Sequence, residues 1–377
     1  MDFSYSDEQQ MLQESVQKFV IKSYDFDTRK KIVASEKGYS EENWKLFAEL
    51  GWLTVPFSEA DGGFGGRAVD LMVVMEEFGR AMVVEPFVPT AVLGGHLISA
   101  LGNDSQRQDL IGRIMAGELQ IGCGISETNS RYNLARVDTT AKLTGGKVTI
   151  NGEKLAVLNG GHADLLLVVA RDSGQPADRD GISVYVVPGD AKGLKRIAYQ
   201  NVDGHSAARI SLDNVEVPES ARLGASGAAL TALEKAVDLA TVAVAAEAVG
   251  AMDSLLQKTV EYSKTRKQFG VPIGTFQALQ HRMADMFIEC QLARSIVIMA
   301  AMKLDSSADD REKTKAVSAA KSRVGRAIRK VGQEAVQIHG GIGITHELDL
   351  AHLFKRVTAI ENLFGNTDHH TARFAAL

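Results

Sequence analysis

The chain has 377 residues, 45% of them hydrophobic and 24% charged, with a formal net charge of −5 and a pI near 6. That balance fits a soluble globular protein of two or three subdomains and speaks against a general nucleic-acid binder. No window approaches 18 uninterrupted apolar residues, the N-terminus (MDFSYSDEQQ) is polar, and Cys123 and Cys290 lie far apart in apolar surroundings, so we expect a cytoplasmic protein with no membrane span, no signal peptide and two reduced, buried thiols.

From residue 5 to about 118 the pattern is helical. Ser6-Asp-Glu-Gln9 is a capping-box signature, followed by Leu12, Val16, Phe19 and Val20 at helical spacing. Ser40 starts a second helix with Trp44, Phe47 and Leu50 inward and Gly51 as its stop. Gly62 to Gly66 form a loop before a helix over Val69–Arg80. The loop has neither the spacing of a P-loop nor its Lys-Ser/Thr, and no strand precedes it, so a turn between helices is expected rather than a phosphate cradle.

Near Leu119 the character changes. Leu119–Ile125 reads as a strand, Leu143–Ile150 as a hairpin with a Gly-Gly turn, and Asn151-Gly152 as another tight turn. Leu165–Ala170 is a continuous apolar run, hence a buried strand, and Asp172–Gly181 is a polar loop. Ile182–Val187 and Ala208–Val217 add strands, and Pro218 ends the last. About 100 residues of closely spaced strands without intervening helices argue for a small barrel or sandwich.

From about Ser226 the chain is helical again, with long segments expected over 227–264, 275–304 and 310–338. Lys321, Arg323, Arg326, Arg329 and Lys330 stud the third and are read as a solvated or inter-subunit face. The first contains Ala240-Thr-Val-Ala-Val-Ala-Ala-Glu-Ala-Val-Gly-Ala-Met252, apolar nearly all round and therefore buried, with Glu247 as its single carboxylate. A Glu is rarely buried unless paired, so either a cation reaches it from elsewhere or a pocket is built to hold it.

Three motifs together resemble the acyl-CoA dehydrogenase family over essentially the full length. They are Thr265-Arg-Lys-Gln-Phe-Gly270 with Phe276-Gln-Ala-Leu-Gln-His-Arg282; Gln337-Ile-His-Gly-Gly-Ile-Gly343; and Asn151-Gly-Glu-Lys154 with Asn159-Gly-Gly161 and Ala163-Asp164. The resemblance implies an α+β acyl-CoA dehydrogenase fold: an N-terminal helical domain (1–118), a central β-barrel domain (119–225) and a C-terminal four-helix bundle (226–377). It implies FAD as cofactor and α,β-dehydrogenation of an acyl-CoA thioester, in which a carboxylate removes the α-proton and the β-hydrogen leaves as hydride to flavin N5. The cofactor-contacting positions would be Ile125, Ser126, Leu158, Arg266, Gln268, Phe269, Gln337, Gly340, Gly341, Asn366 and Thr367. Tyr132, Asp238 and Thr241 would lie toward the substrate. An Arg meets a pyrophosphate bidentately where a Lys cannot, which suits Arg266, and Gly340, Gly341 and Gly343 let backbone approach a cofactor closely.

The chain departs from the family where the base is expected. The Tyr-Glu-Gly-Thr run that carries it in many members is Phe364-Gly365-Asn366-Thr367, so the position is Gly365. The alternative position, early on the buried helix, is Ala240. Glu247 lies seven residues on, about two turns and roughly 10 Å along the same face. It is therefore assigned as the α-proton base, since a dry pocket raises a carboxylate toward the working range; the alternative is a structural Glu paired with a distant Arg or His. The Thr-Glu-Pro-Gly-x-Gly-Ser-Asp run is Ser126-Glu-Thr-Asn-Ser-Arg-Tyr-Asn133, which keeps a hydroxyl at Ser126 but puts Tyr132 where a Ser would touch the acyl-CoA. The Trp-Ile-Thr run is Ala156-Val157-Leu158, leaving only the backbone of Leu158 for the flavin, and an Arg often found near the CoA is Thr241.

Arg131-Tyr-Asn-Leu134, Glu247-Ala-Val-Gly-Ala-Met-Asp253 and Leu363-Phe-Gly with Asp368-His-His370 resemble small subunits of two-subunit acyl-CoA dehydrogenases, notably the pimeloyl-CoA type. That implies an α2β2 assembly with a second acyl-CoA dehydrogenase chain, or else a homotetramer. It also implies a bulky or dicarboxylic acyl chain and an electron-transfer flavoprotein as electron acceptor. The rival reading is a non-catalytic subunit that completes a partner chain's FAD site; a third is a flavoenzyme of the same fold acting on a non-CoA substrate, suggested by Tyr132 and Thr241.

Overall fold

The structure is a computed structural model that describes residues 5–377; residues 1–4 of the polar N-terminal segment lie outside the described residues. Helix α1 (Asp7–Ser23) starts in the expected capping box, with the Ser6 side chain accepting from Gln9 N–H and the Gln9 side chain accepting from Ser6 N–H. Helices α2 (Phe26–Val33), α3 (Glu41–Glu49) and α4 (Ala68–Ala81) follow, then a π-helical segment Val88–Gly94 that runs into α5 (Gly95–Leu101), and α6 (Asp104–Met115). Strands β1 (Ile121–Gly124), β2 (Thr140–Thr144), β3 (Lys147–Leu158), β4 (Leu165–Arg171), β5 (Ile182–Pro188), β6 (Leu194–Gln200), β7 (Ser206–Pro218) and β8 (Arg222–Leu223) form one sheet. The rest is α7 (Leu230–Thr265), the small hairpin β9 (Lys267–Gln268) and β10 (Val271–Pro272), α8 (Gln277–Asp305), α9 (Asp310–His339), α10 (Asp349–Asn362) and α11 (Thr367–Ala376).

The chain divides into two compact units, one of residues 5–31, 68–83 and 241–377, the other of 32–67 and 84–240. In the second unit the strands run β6-β7-β3-β2-β4-β5-β8, with β1 joined parallel to β4. Val148, Ile150, Leu166, Val168, Val187, Ile210 and Val215 fill its core. Gly145 and Gly146, both at positive φ (60° and 78°), make the β2–β3 turn as the sequence predicts. Asn151-Gly152 does not turn the chain. It lies within β3, where a register shift between Ile150 and Gly152 absorbs the glycine as a bulge and the Asn151 side chain bonds Asn214 on β7. The weakly apolar strand β6 is an edge strand not anticipated from the sequence.

In the first unit α8 and α9 pack together, α10 and α11 also lie on α9, and α4 packs against α1 and α8. Helices α4 and α7 meet backbone to backbone. A Cβ at Gly79 would stand 1.9 Å from the carbonyl oxygen of Glu247, and one at Gly250 1.8 Å from that of Glu76. That crossing brings Glu76, Glu77, Arg80, Asp253 and Arg294 into one ionic network: Arg80 pairs with Glu76, Glu77 and Asp253, and Arg294 with Glu76 and Asp253.

Two surface expectations are corrected. Leu50 is 44% exposed, because it caps α3 rather than continuing its inner face. Lys321 is fully buried, not part of a solvated stripe; its ammonium donates to the carbonyls of Glu361 (3.1 Å) and Gly365 (2.5 Å), and burial pushes its pKa down to about 8. Cys123 and Cys290 are buried free thiols, as expected. Helix α7 is long and apolar enough to cross a membrane by composition, yet 89% of its apolar window is buried inside the protein.

Candidate functional site

On the sheet unit, Ile125 and Ser126 continue from the end of β1 and are half-buried. Between Lys154 and Val157 the β3–β7 register shifts, with Ala156 at φ 50°. Leu155 leaves the ladder there and donates its N–H to the Ser126 carbonyl (2.8 Å). The bulge thus ties Ser126 three residues from Leu158, which rejoins β7 opposite Ala207. Sequence spacing gave no sign of this junction; a bulge that re-aims a strand end is a tertiary feature.

The loop after Ser126 is anchored by a residue the sequence analysis did not single out. Glu127, 7% exposed, accepts from the N–H groups of Asp138 (2.6 Å) and Thr139 (3.1 Å) and from the ammonium of Lys154 (2.5 Å), itself fully buried. Burial opposes ionisation of the carboxyl, but Lys154 and the donors on it hold Glu127 below the usual carboxylate range. The loop carries Tyr132, half-buried, next to Arg131 at φ 45°.

On the helical unit, Arg266, Gln268 and Phe269 project from the end of α7 and the β9–β10 hairpin, and all three are exposed. Phe269 (φ 54°) and Gly270 (φ 85°) form the two-residue turn, and the Phe269 ring, 91% exposed, meets Phe276 edge-on at 6.1 Å. Gln337 is exposed in the last turn of α9. Gly340, at φ 66° and ψ −143°, ends that helix, and a Cβ on Gly340 or Gly341 would meet nothing within 4 Å. The open backbone at Gly340 and Gly341 and the exposed guanidinium of Arg266 are each of a kind that suits a phosphate-bearing cofactor. Asp238 and Thr241, 5% and 1% exposed, lie one turn apart on α7.

The C-terminal pair, Thr367 and Asn366, is hydrogen-bonded within the tail. Thr367 is buried, and both its N–H (3.2 Å) and its hydroxyl (2.7 Å) donate to Glu361 Oε1, so its donors serve the tail's own structure. Asn366 caps α11 by accepting from His369 N–H (3.0 Å). Gly365 sits at φ 116°, and a Cβ there would stand 2.6 Å from both His369 Cδ2 and His370 Nε2. The position has no room for a carboxylate side chain.

Glu247 is 2% exposed, and Arg356 on α10 reaches it. Nε donates to Oε1 at 2.5 Å and the second guanidinium nitrogen to Oε2 at 2.6 Å. Both oxygens are thus engaged in a buried, bidentate, charge-assisted pair. A cation thus reaches Glu247 from elsewhere in the chain, one of the two ways a buried Glu is accommodated. A signal was present in the sequence: Arg356 stands inside the apolar stripe Leu350, Leu353, Val357 and Ile360, a cation at a core-facing position that needs a buried anion. Which anion it finds depends on how α7 and α10 pack.

Comparison with known proteins agrees with the geometry along the whole chain. The models for the N-terminal, middle and C-terminal domains of acyl-CoA dehydrogenase match residues 6–118, 122–215 and 227–376. A probable acyl-CoA dehydrogenase of Bacillus subtilis, YngJ, is 30% identical over 366 residues, covering 96% of this chain and 95% of the relative. The butyryl-CoA dehydrogenase of Megasphaera elsdenii superposes with a TM-score of 0.90 at 25% identity over 100% of this chain and 99% of that one. A variant of the Tcur3481–Tcur3483 steroid ACAD superposes at 0.87 and 28% identity, covering 98% and 97%. The chain belongs to the acyl-CoA dehydrogenase family, whose reaction is the FAD-dependent dehydrogenation of acyl-CoA thioesters.

Proposed function

We propose that this chain is one subunit of a heteromeric acyl-CoA dehydrogenase, that it binds FAD together with a second chain, and that the carboxylate removing the α-proton comes from that second chain. The observation that carries this reading is the state of the base positions. Gly365 has no space for a side chain, Ala240 has no carboxylate, and Glu247 is engaged through both oxygens by Arg356. A base for a weakly acidic α-proton must have a lone pair directed at that proton, and on Glu247 the bidentate guanidinium already occupies one on each oxygen and fixes the carboxylate toward Arg356.

In this reading Arg266, Gln268 and Phe269, with the backbone of Gly340 and Gly341, offer one set of contacts for the adenosine and pyrophosphate of an FAD, and Ser126 with the Leu158 backbone offers a separate set for a flavin ring. The bound flavin supplies the hydride acceptor. Tyr132, Asp238 and Thr241 shape the acyl-CoA side, and the Tyr in place of a Ser suits an acyl group unlike a short linear one, bulky or dicarboxylic. Similarity to a steroid ACAD whose name carries two chains supports the heteromer and the bulky acyl group. An electron-transfer flavoprotein would take the electrons.

A second reading keeps Glu247 as the base, favoured by its place two turns along α7 from Ala240; it requires Arg356 to release the carboxylate when substrate binds. One measurement separates the two. The complete assembly is reduced with acyl-CoAs and flavin bleaching is followed per bound FAD. A rate for Glu247→Gln within about threefold of wild type supports the partner-base reading. A loss of about 10²–10⁴-fold, the contribution of a general base, overturns it.

A further inference from the structure

Tyr262 and His339 connect the two cofactor-facing segments of the helical unit. Tyr262 lies one turn before Arg266 on α7, and its carbonyl accepts from Arg266 N–H at 2.8 Å. His339 is the last residue of α9, immediately before Gly340. The two rings stack with centroids 4.2 Å apart and planes 22° apart, and the Tyr262 hydroxyl reaches the His339 carbonyl at 3.4 Å.

The imidazole is held at a second point. It is 6% exposed, and its Nδ1 lies 2.9 Å from the Ala335 carbonyl, which makes that nitrogen the protonated one. Burial pushes its pKa down, so the ring is neutral at physiological pH. A Cβ at Gly343 would stand 2.9 Å from His339 Cβ, so the turn after Gly340 folds back onto this residue. The direction in which Gly340 and Gly341 present their backbone therefore follows from how His339 is seated, and Tyr262 seats it.

We infer that Tyr262 is a positioning residue for the cofactor: by stacking on His339 it fixes the Gly340–Gly341 turn relative to Arg266, so that backbone donors and guanidinium meet one ligand together. The inference rests on the reading that these segments hold FAD. It does not depend on which carboxylate is the base.

The test is FAD affinity, read by flavin fluorescence on the purified assembly stripped of cofactor. Tyr262→Leu removes the stack and is expected to weaken FAD binding about tenfold, in line with the worth of an aromatic pair. Tyr262→Phe keeps the stack and is expected to restore affinity to within about twofold of wild type. Val297→Ala, a core truncation on α8 remote from the turn in sequence, controls for a general loss of stability and is expected to leave affinity unchanged. Wild-type affinity in Tyr262→Leu, where Arg266→Ala weakens binding, overturns the inference alone. An equal loss in Val297→Ala does so too, because the effect would then be one of folding. Unchanged affinity in both Tyr262→Leu and Arg266→Ala overturns the cofactor reading itself and this inference with it.

Discussion

Removing one partner of the Glu247–Arg356 pair gives a sharp test of how the helical core is held. Both residues are nearly inaccessible, 2% and 4% exposed, and no solvent can replace a lost contact. Arg356→Met leaves the Glu247 carboxylate in an apolar helix without its cation, and truncating one member of a buried pair costs about 3–5 kcal/mol. Glu247→Gln leaves the guanidinium with a neutral acceptor and costs a similar amount. The double variant Glu247→Gln/Arg356→Met removes both charges and puts an apolar chain beside an amide, so it should recover much of the loss, with a coupling energy of roughly 2–3 kcal/mol. The assay is urea unfolding followed by circular dichroism on flavin-free protein at fixed protein concentration, so that neither cofactor nor subunit binding shifts the midpoint between variants. If the single variants unfold like wild type, or if the double variant is destabilised by the sum of the two, the pair does not carry the stability claimed for it.

Three further outcomes are expected. Gly79→Ala and Gly250→Ala each force a methyl to within 2 Å of a carbonyl oxygen across the α4–α7 crossing, so each should lower unfolding stability by about 3 kcal/mol or prevent folding, measured by the same unfolding curves. Glu127→Gln should destabilise the sheet unit and release the Ser126–Thr139 loop, read as increased amide exchange at Asp138 and Thr139, whose N–H groups it now binds; unchanged exchange there would count against the anchor. His370, 1% exposed, is pushed down to about 3 by burial, with Lys321 and His369 adding to the effect. Its folded pKa lies below its unfolded value near 6.5, so the unfolded state takes up the proton first, and stability is lost as pH falls from about 6.5 toward 3, by at most about 1.4 kcal/mol per pH unit. His370→Asn should flatten that slope in pH-dependent unfolding, and an unchanged slope would assign it to other groups.

The sequence alone determined the order of the architecture, helices, then strands, then long helices. Short-range rules suffice for that: the capping box at Ser6, the Gly-Gly turn at 145–146 and the apolar run of β4 act through neighbours in the chain. The motifs around Arg266 and Gly340 were legible for the same reason, as local runs whose residue types suit close approach to a phosphate-bearing group. Tertiary structure alone decided where charges end their search for partners. Lys321 reads as one of a row of surface cations until α10 and the tail place two carbonyls on it. Asn151-Gly152 reads as a turn until β7 lies beside it and turns it into a bulge. Glu247 reads as a lone carboxylate in an apolar helix until α10 brings Arg356 to it across 109 residues of sequence. A buried charge is tolerated only with its counter-charge, and no local pattern states which distant residue supplies it.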